Sequence, residues 1–229
     1  MIFRQLFDKE SSTFTYLLGD EASGEAALVD PVVEQVDRDL KLVQELGLRL
    51  TVVLDTHVHA DHITGAGTLR ERTGARTHFS VRGGPSCADV LLQDGQDVKL
   101  GALVIHSMAT PGHTDSCMSY VVPGRVFTGD TLLVRGCGRT DFQQGDAATL
   151  WRSVHEKLFV LPGSTYVCPA HDYRGQTCST IAEEKRFNPR LGGAMTEEAF
   201  VELMRGLDLP PPAKINEAVP ANRACGKSP

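Results

Sequence analysis

The chain contains no run of eighteen or more apolar residues, no C-x-x-C pair and no excess of positive charge. Without such a run no membrane-spanning helix is expected, and Met1-Ile2-Phe3-Arg4-Gln5-Leu6-Phe7 is interrupted too early for a signal peptide, so the expected compartment is the cytoplasm. The six cysteines, at positions 87, 117, 137, 168, 178 and 225, are too far apart for a zinc ribbon or a thioredoxin-type motif. Reduced and mostly buried thiols are expected, because a chain with ample apolar residues needs no disulfide for stability. Lys and Arg number 23 against 29 Asp and Glu, and the net charge of -6 offers no basic surface to a phosphate backbone. Nucleic acid is therefore not an expected partner. No internal repeat or low-complexity linker breaks residues 1–207, so the 229 residues are expected to form one domain, with residues 208–229 as an extended tail.

The pattern along the chain mixes strands and helices. Thr13–Leu18 and Ala26–Val29 predict a hairpin, Thr51–Leu54 a buried strand, and Thr77–Phe79, Leu103–Met108, Met118–Val122, Arg125–Thr128 and Tyr166–Cys168 further short strands. Helices are predicted over Glu34–Leu46, where Val36, Leu40 and Val43 share a face, and over Gly65–Arg72, Ala147–Leu158 and Glu197–Leu207. Pro210-Pro211-Pro212 stops the last one.

What the chain does hold is histidine, eight in all, with three inside the segment His57-Val58-His59-Ala60-Asp61-His62. If that segment is extended, His57 and His59 project to one side while Asp61 and His62 face differently, so the cluster can surround two neighbouring points. His113, Asp130 and His171 each follow a predicted strand and stand beside a glycine, proline or small residue. Glycine lets the backbone bend sharply and brings such a side chain toward a metal. A mixed set of imidazoles and carboxylates suits zinc, iron or manganese. His78, His106 and His155 have no such setting and are expected to be structural.

The sequence His57-x-His59-x-Asp61-His62, followed by His113, Asp130 and His171, resembles the metallo-β-lactamase superfamily. That resemblance implies an α/β (α+β) fold, an αββα sandwich with the metal at the sheet edge. Within the superfamily, Thr110–Thr114, Gly129–Gln143, Pro169–Tyr173, Asn188–Leu191 and Ala218–Asn222 look like the persulfide dioxygenases. The resemblance implies one Fe(II) per chain held by His57, His113 and Asp130, with open positions for other ligands. It further implies that glutathione persulfide is oxidised by O2 and water to sulfite and glutathione. His59, Asp61, His62 and His171 then act through hydrogen bonds to the ligands and bound water, and Arg139, Tyr173 and Arg190 contact the glutathione moiety. A cation is required somewhere near an anionic tripeptide on a negatively charged protein. Cys137 is assigned no catalytic step.

Two rival functions could use the same histidine pattern. A hydroxyacylglutathione hydrolase, a thioesterase, has the same histidine pattern with two metals, but carries a substantial helical domain where this chain has fewer than sixty residues after His171. A non-catalytic metal or persulfide sensor would have lost part of the ligand set. A sulfurtransferase is an expected partner, supplying or consuming sulfur, and an apolar patch on the last helix would suit either a homodimer or packing on the domain.

Overall fold

A computed structural model describes residues 1–227. One sheet has the spatial order β1 (Ile2–Asp8), β2 (Thr13–Asp20), β3 (Glu25–Val29), β4 (Arg49–Leu54), β5 (Arg76–Ser80) and β6 (Val90–Leu92). The other runs in reverse, from β12 (Ser179–Thr180) through β11 (Tyr166–Pro169), β10 (Arg125–Gly129), β9 (Met118–Val122) and β8 (Leu103–Ala109) to β7 (Asp97–Leu100). Helices α1 (Val36–Glu45) and α2 (Ala66–Thr73) cover the first sheet; α3 (Ala147–Arg152) and α5 (Glu197–Arg205) cover the second, with α4 (Ile181–Phe187) between them in sequence.

Side-chain alternation explains the four layers. In β2, Phe14, Tyr16 and Leu18 point into the space between the sheets, where they meet Met118, Tyr120 and Phe127, while Leu17 points outward among the residues of α1 and α2. Strand β4 divides likewise, Val52 and Leu54 inward and Val53 outward. A strand buried on both faces reads as a continuous apolar run, which is why Thr51–Leu54 was legible. On the far side, Leu150, Trp151 and Val154 pack with Phe200 and Met204 over Val126 and Val167 of the second sheet. Each such fully buried side chain stabilises the fold by about 1.5–3 kcal/mol.

Pairing directions place the site. Strands β3, β4 and β5 are parallel neighbours, and β10 is parallel to β11. β8 runs the same way as β10, with antiparallel β9 between them. The carboxyl ends of β4, β8, β10 and β11 therefore open at one edge of the sandwich, where the two sheets are tied by the Phe14 N–H donating to the Ala170 carbonyl at 2.7 Å.

Two expectations are corrected. The segment after Leu207 does not lie extended throughout: residues Ile215–Arg223 form a helix, α6, with Ala218, Ala221 and Asn222 buried. Nor are all the cysteines reduced, since Cys87 and Cys225 form a disulfide that links the turn after α6 to the loop before β6. Cys117, Cys137 and Cys168 are buried free thiols and Cys178 is exposed. Among the described residues no helix is long and apolar enough to cross a membrane.

Candidate metal centre

The loop that follows β4 carries His57, His59, Asp61 and His62; His113 lies between β8 and β9, Asp130 follows β10 and His171 follows β11. The structure brings all seven to the same edge. One donor atom each from His57, His113 and Asp130 can be chosen so that all lie within 4.8 Å of one another, and His59, Asp61 and His62 form a second such group.

Glycines make this convergence feasible. Gly129, just before Asp130, has φ 53°, and a Cβ there would meet the Thr56 side chain at 2.6 Å. Gly112, just before His113, has φ 138°, and its Cβ would meet the Leu150 backbone at 2.3 Å. Only glycine accepts both the backbone angle and the close approach.

The far nitrogens of the proposed ligands are held by the protein. His113 Nδ1 donates to the Arg139 carbonyl at 2.7 Å, which leaves Nε2 as a lone pair 3.5 Å from Asp130 Oδ2. Thr56 Oγ1 donates to Asp30 Oδ2 at 2.9 Å and sits 3.0 Å from His57 Nδ1, so it receives that N–H and turns His57 Nε2 toward the centre. Burial pushes the His57 and His59 imidazoles well below their usual range, so both are neutral lone-pair donors.

The chemistry of the donor set fits a cation. Asp130 Oδ1, His59 Nδ1 and His62 Nε2 are buried without a hydrogen-bond partner, an arrangement that costs several kcal/mol in sum, at about 1–3 kcal/mol each, unless an ion satisfies them. Burial opposes charge on Asp61, yet His171 and His62 beside it hold its carboxyl well below the usual range. His171 responds in turn: against its burial, Asp130 and Asp61 push its imidazole up to about 10. A bound cation would supply the positive charge that this proton supplies without it.

Behind the ligands stand residues that sequence reasoning missed. Asp30, buried at the end of β3 with φ 50°, accepts from the Thr56 N–H at 2.7 Å and from His59 Nε2 at 3.1 Å, besides the Thr56 hydroxyl. Asp55 accepts from the Thr64 hydroxyl at 2.9 Å. From α6, Asn222 Nδ2 donates to the carbonyls of His59 and His62, and its Oδ1 accepts from the Thr64 N–H. Asp30 carried the same signal as the ligands, a polar residue closing a strand before a proline, and that criterion applied to Ala26–Val29 would have found it.

The centre forms the floor of a cavity of about 760 Å³ whose walls include Leu133–Arg139, Tyr173, Arg190, Leu209, Pro210 and Pro212–Lys214. Tyr173, 72% exposed, stacks on His171 with ring centres 5.9 Å apart. Arg190 Nη1 donates to the Cys137 carbonyl at 3.2 Å and has no carboxylate partner among the described residues. Arg139 is more fully engaged: it pairs with both Asp141 oxygens at 2.7 Å and donates to the carbonyls of Leu209 and Pro210, pinning that wall. Burial pushes the Cys137 thiol up to about 11, so it is not a thiolate nucleophile. The three remaining histidines make ordinary contacts: His78 with the Val53 and Arg76 carbonyls, His106 with Asp97, and His155 with the Leu191 carbonyl and the Trp151 ring.

Comparison with known proteins gives a consistent assignment. Residues 8–171 match the metallo-beta-lactamase superfamily. A human protein described as persulfide dioxygenase ETHE1, mitochondrial, is 51% identical over 229 residues, covering 99% of this chain and 89% of that protein. The crystal structure of ETHE1 from Myxococcus xanthus superposes with a TM-score of 0.97 at 59% identity, covering 99% of this chain and 100% of that one. A hydroxyacylglutathione hydrolase from Cereibacter sphaeroides is more distant, 36% identical over 171 residues, covering 71% of this chain and 64% of that protein.

Proposed function

Since the chain belongs to the persulfide dioxygenase family of the metallo-beta-lactamase superfamily, we infer that it is an enzyme that oxidises glutathione persulfide with O2. The overall change is GSSH + O2 + H2O → GSH + sulfite + 2 H⁺. The observation that carries this reading to particular residues is the convergence of His57, His113 and Asp130 on the floor of the cavity, with their far atoms held by Thr56 and the Arg139 carbonyl.

We assign one Fe(II) to that triad. Two neutral imidazoles and one carboxylate suit ferrous iron and leave room for other ligands, and bound there it supplies a redox centre that O2 and a persulfide sulfur can reach together, chemistry closed to zinc. The protein's own part is to hold reactants in register, turning an encounter of three species into reaction within one complex. His59, Asp61, His62 and His171 orient the ligands and water: Asp61 Oδ2 lies 2.8 Å from His62 Nδ1 and 3.5 Å from His171 Nε2, a short path for the protons released as sulfite departs. Tyr173 and Arg190 line the cavity as glutathione contacts, and Arg139 serves by fixing the 209–210 wall. The substrate's terminal sulfur requires a reaction that transfers sulfane sulfur to glutathione, the role in which a sulfurtransferase fits.

Metal analysis of protein isolated without oxygen tests the assignment. One iron per chain is expected; two zincs per chain together with hydrolysis of a glutathione thioester would instead make it a two-metal thioesterase.

A further inference from the structure

Two adjacent residues hold a backbone conformation that most side chains disfavour. Gln143 and Gln144 have φ of 48° and 59°, the one neighbouring pair of non-glycine residues in the left-handed region among the described residues. Neither is Asn or Asp, whose short side chains tolerate that region best. Strained residues of this kind persist only where the surrounding structure over-determines them, and they cluster at functional sites. The anchors are visible on both sides. Upstream, the Gly138 N–H donates to the Asp130 carbonyl at 2.7 Å and Arg139 pairs with Asp141; downstream, Asp146 caps α3 by accepting from the Thr149 N–H at 2.7 Å.

Between those anchors, residues 142–146 touch both loops that carry the proposed histidine ligands. On the His113 side, the Asp146 N–H donates to the Gly112 carbonyl at 2.8 Å, and a Cβ on Gly145 would stand 2.7 Å from the His113 carbonyl oxygen. On the His57 side, Gln143 Nε2 donates to the carbonyl of buried Val58 at 2.7 Å. The Val58 N–H in turn donates at 3.3 Å to the hydroxyl of Ser116, in the loop that carries His113. Both peptide planes flanking Val58 are therefore held from the His113 side. The imidazoles of His57 and His113 stand with ring centres 5.0 Å apart and planes nearly perpendicular, at 85°.

We propose that Gln143 is a positioning residue for the metal centre: its amide ties the His57 loop to the His113 loop and so sets the distance and angle between the two imidazoles. This rests on the reading of those histidines as iron ligands. A carbonyl only accepts, so the tie needs the N–H of the amide, and the left-handed backbone at residue 143 is the conformation from which that amide reaches Val58. Gln143 lies outside the lining of the large cavity, so its loss acts on turnover and not on substrate binding.

The test uses iron-loaded protein and reads three quantities for each variant: steady-state oxygen uptake on glutathione persulfide, the rate at which a ferrous chelator removes the iron, and the melting temperature. Gln143→Gly removes the amide and relieves the backbone, so its melting temperature is expected to stay close to that of the wild type, while kcat falls about ten-fold at unchanged KM and iron leaves about ten-fold faster. Gln143→Glu keeps the shape but turns an acceptor toward the Val58 carbonyl, and it is expected to lose at least as much. Gln144→Gly relieves the neighbouring strain, leaves the amide in place and is expected to match the wild type in both rates. Wild-type kcat or wild-type iron release in both Gln143 variants, or a loss confined to KM, would overturn the tie. No iron and no oxygen uptake in the wild-type protein would instead overturn the ligand reading, and the tie with it.

Discussion

As the proposed metal ligands, His57 and His113 depend on the groups behind them. The Arg139 carbonyl and the Thr56–Asp30 pair each fix a tautomer, so that Nε2 faces the centre before any ion arrives. His113→Ala is therefore expected to abolish iron retention, while His155→Ala, whose ring stacks on Trp151 away from the centre, keeps one iron per chain; equal loss in both would mean that the ligand set is different. Gly129→Ala reaches the same centre through the backbone. Its Cβ would stand 2.6 Å from Thr56 Oγ1 at a φ of 53°, so it is expected to destabilise the protein by more than the roughly 1 kcal/mol of the backbone strain alone and to lower iron occupancy as Thr56 shifts. A melting curve with metal analysis reads both effects. The convergence of these residues at one edge was legible because several histidines clustered and each later partner closed a strand. Asp55 and Thr56 were not, because a single acid or hydroxyl at a strand end is equally a turn residue, and only its partners in space reveal it.

Among the elements, the strands buried on both faces announced themselves as apolar runs, and the amphipathic α1 and α5 by their spacing. Strand β1 went unread because none of Ile2–Phe7 is fully buried, so its pattern lacks a clean alternation. Helix α6 was hidden by Pro220 within it and by the three prolines before it. Helix α1 contains a cost that its periodicity does not show. Asp39 is fully buried with Oδ2 unpartnered, and burial, only partly offset by Arg38, pushes its carboxyl up to about 6 from 3.8. The unfolded chain loses this proton near 3.8 and the folded chain near 6, so the folded state binds more protons in that interval. Stability therefore falls as pH rises from about 4 to 6 and stays lower above it. At about 1.4 kcal/mol per pH unit the cost is on the order of 3 kcal/mol at most. Asp39→Asn is expected to raise the melting temperature at pH 8 and to give little or no gain at pH 4. A gain of the same size at both pH values would show that the carboxyl's ionisation is not the cause.

At the scale of the whole molecule, two sheets meet over one apolar core, and their shared edge assembles the candidate metal centre from four strand ends. The fold class and this edge were readable from the order of the clustered histidines and aspartates along the chain. The Cys87–Cys225 bond was not, because a separation of 138 residues leaves no local trace in the sequence. Closing so long a loop restricts the unfolded chain, by typically 2–4 kcal/mol, so reduction is expected to lower the melting temperature by several degrees, with Cys87→Ser matching the reduced protein. An unchanged transition on reduction would mean that the bond adds nothing to stability. Function depends on the same assembly acting as one unit: the triad, the residues behind it and a cavity sized for a tripeptide persulfide. Oxygen uptake measured together with sulfite release, on iron-loaded protein given glutathione persulfide, tests that account most directly. One O2 consumed per sulfite formed is the result predicted; sulfur release with no oxygen uptake would contradict it.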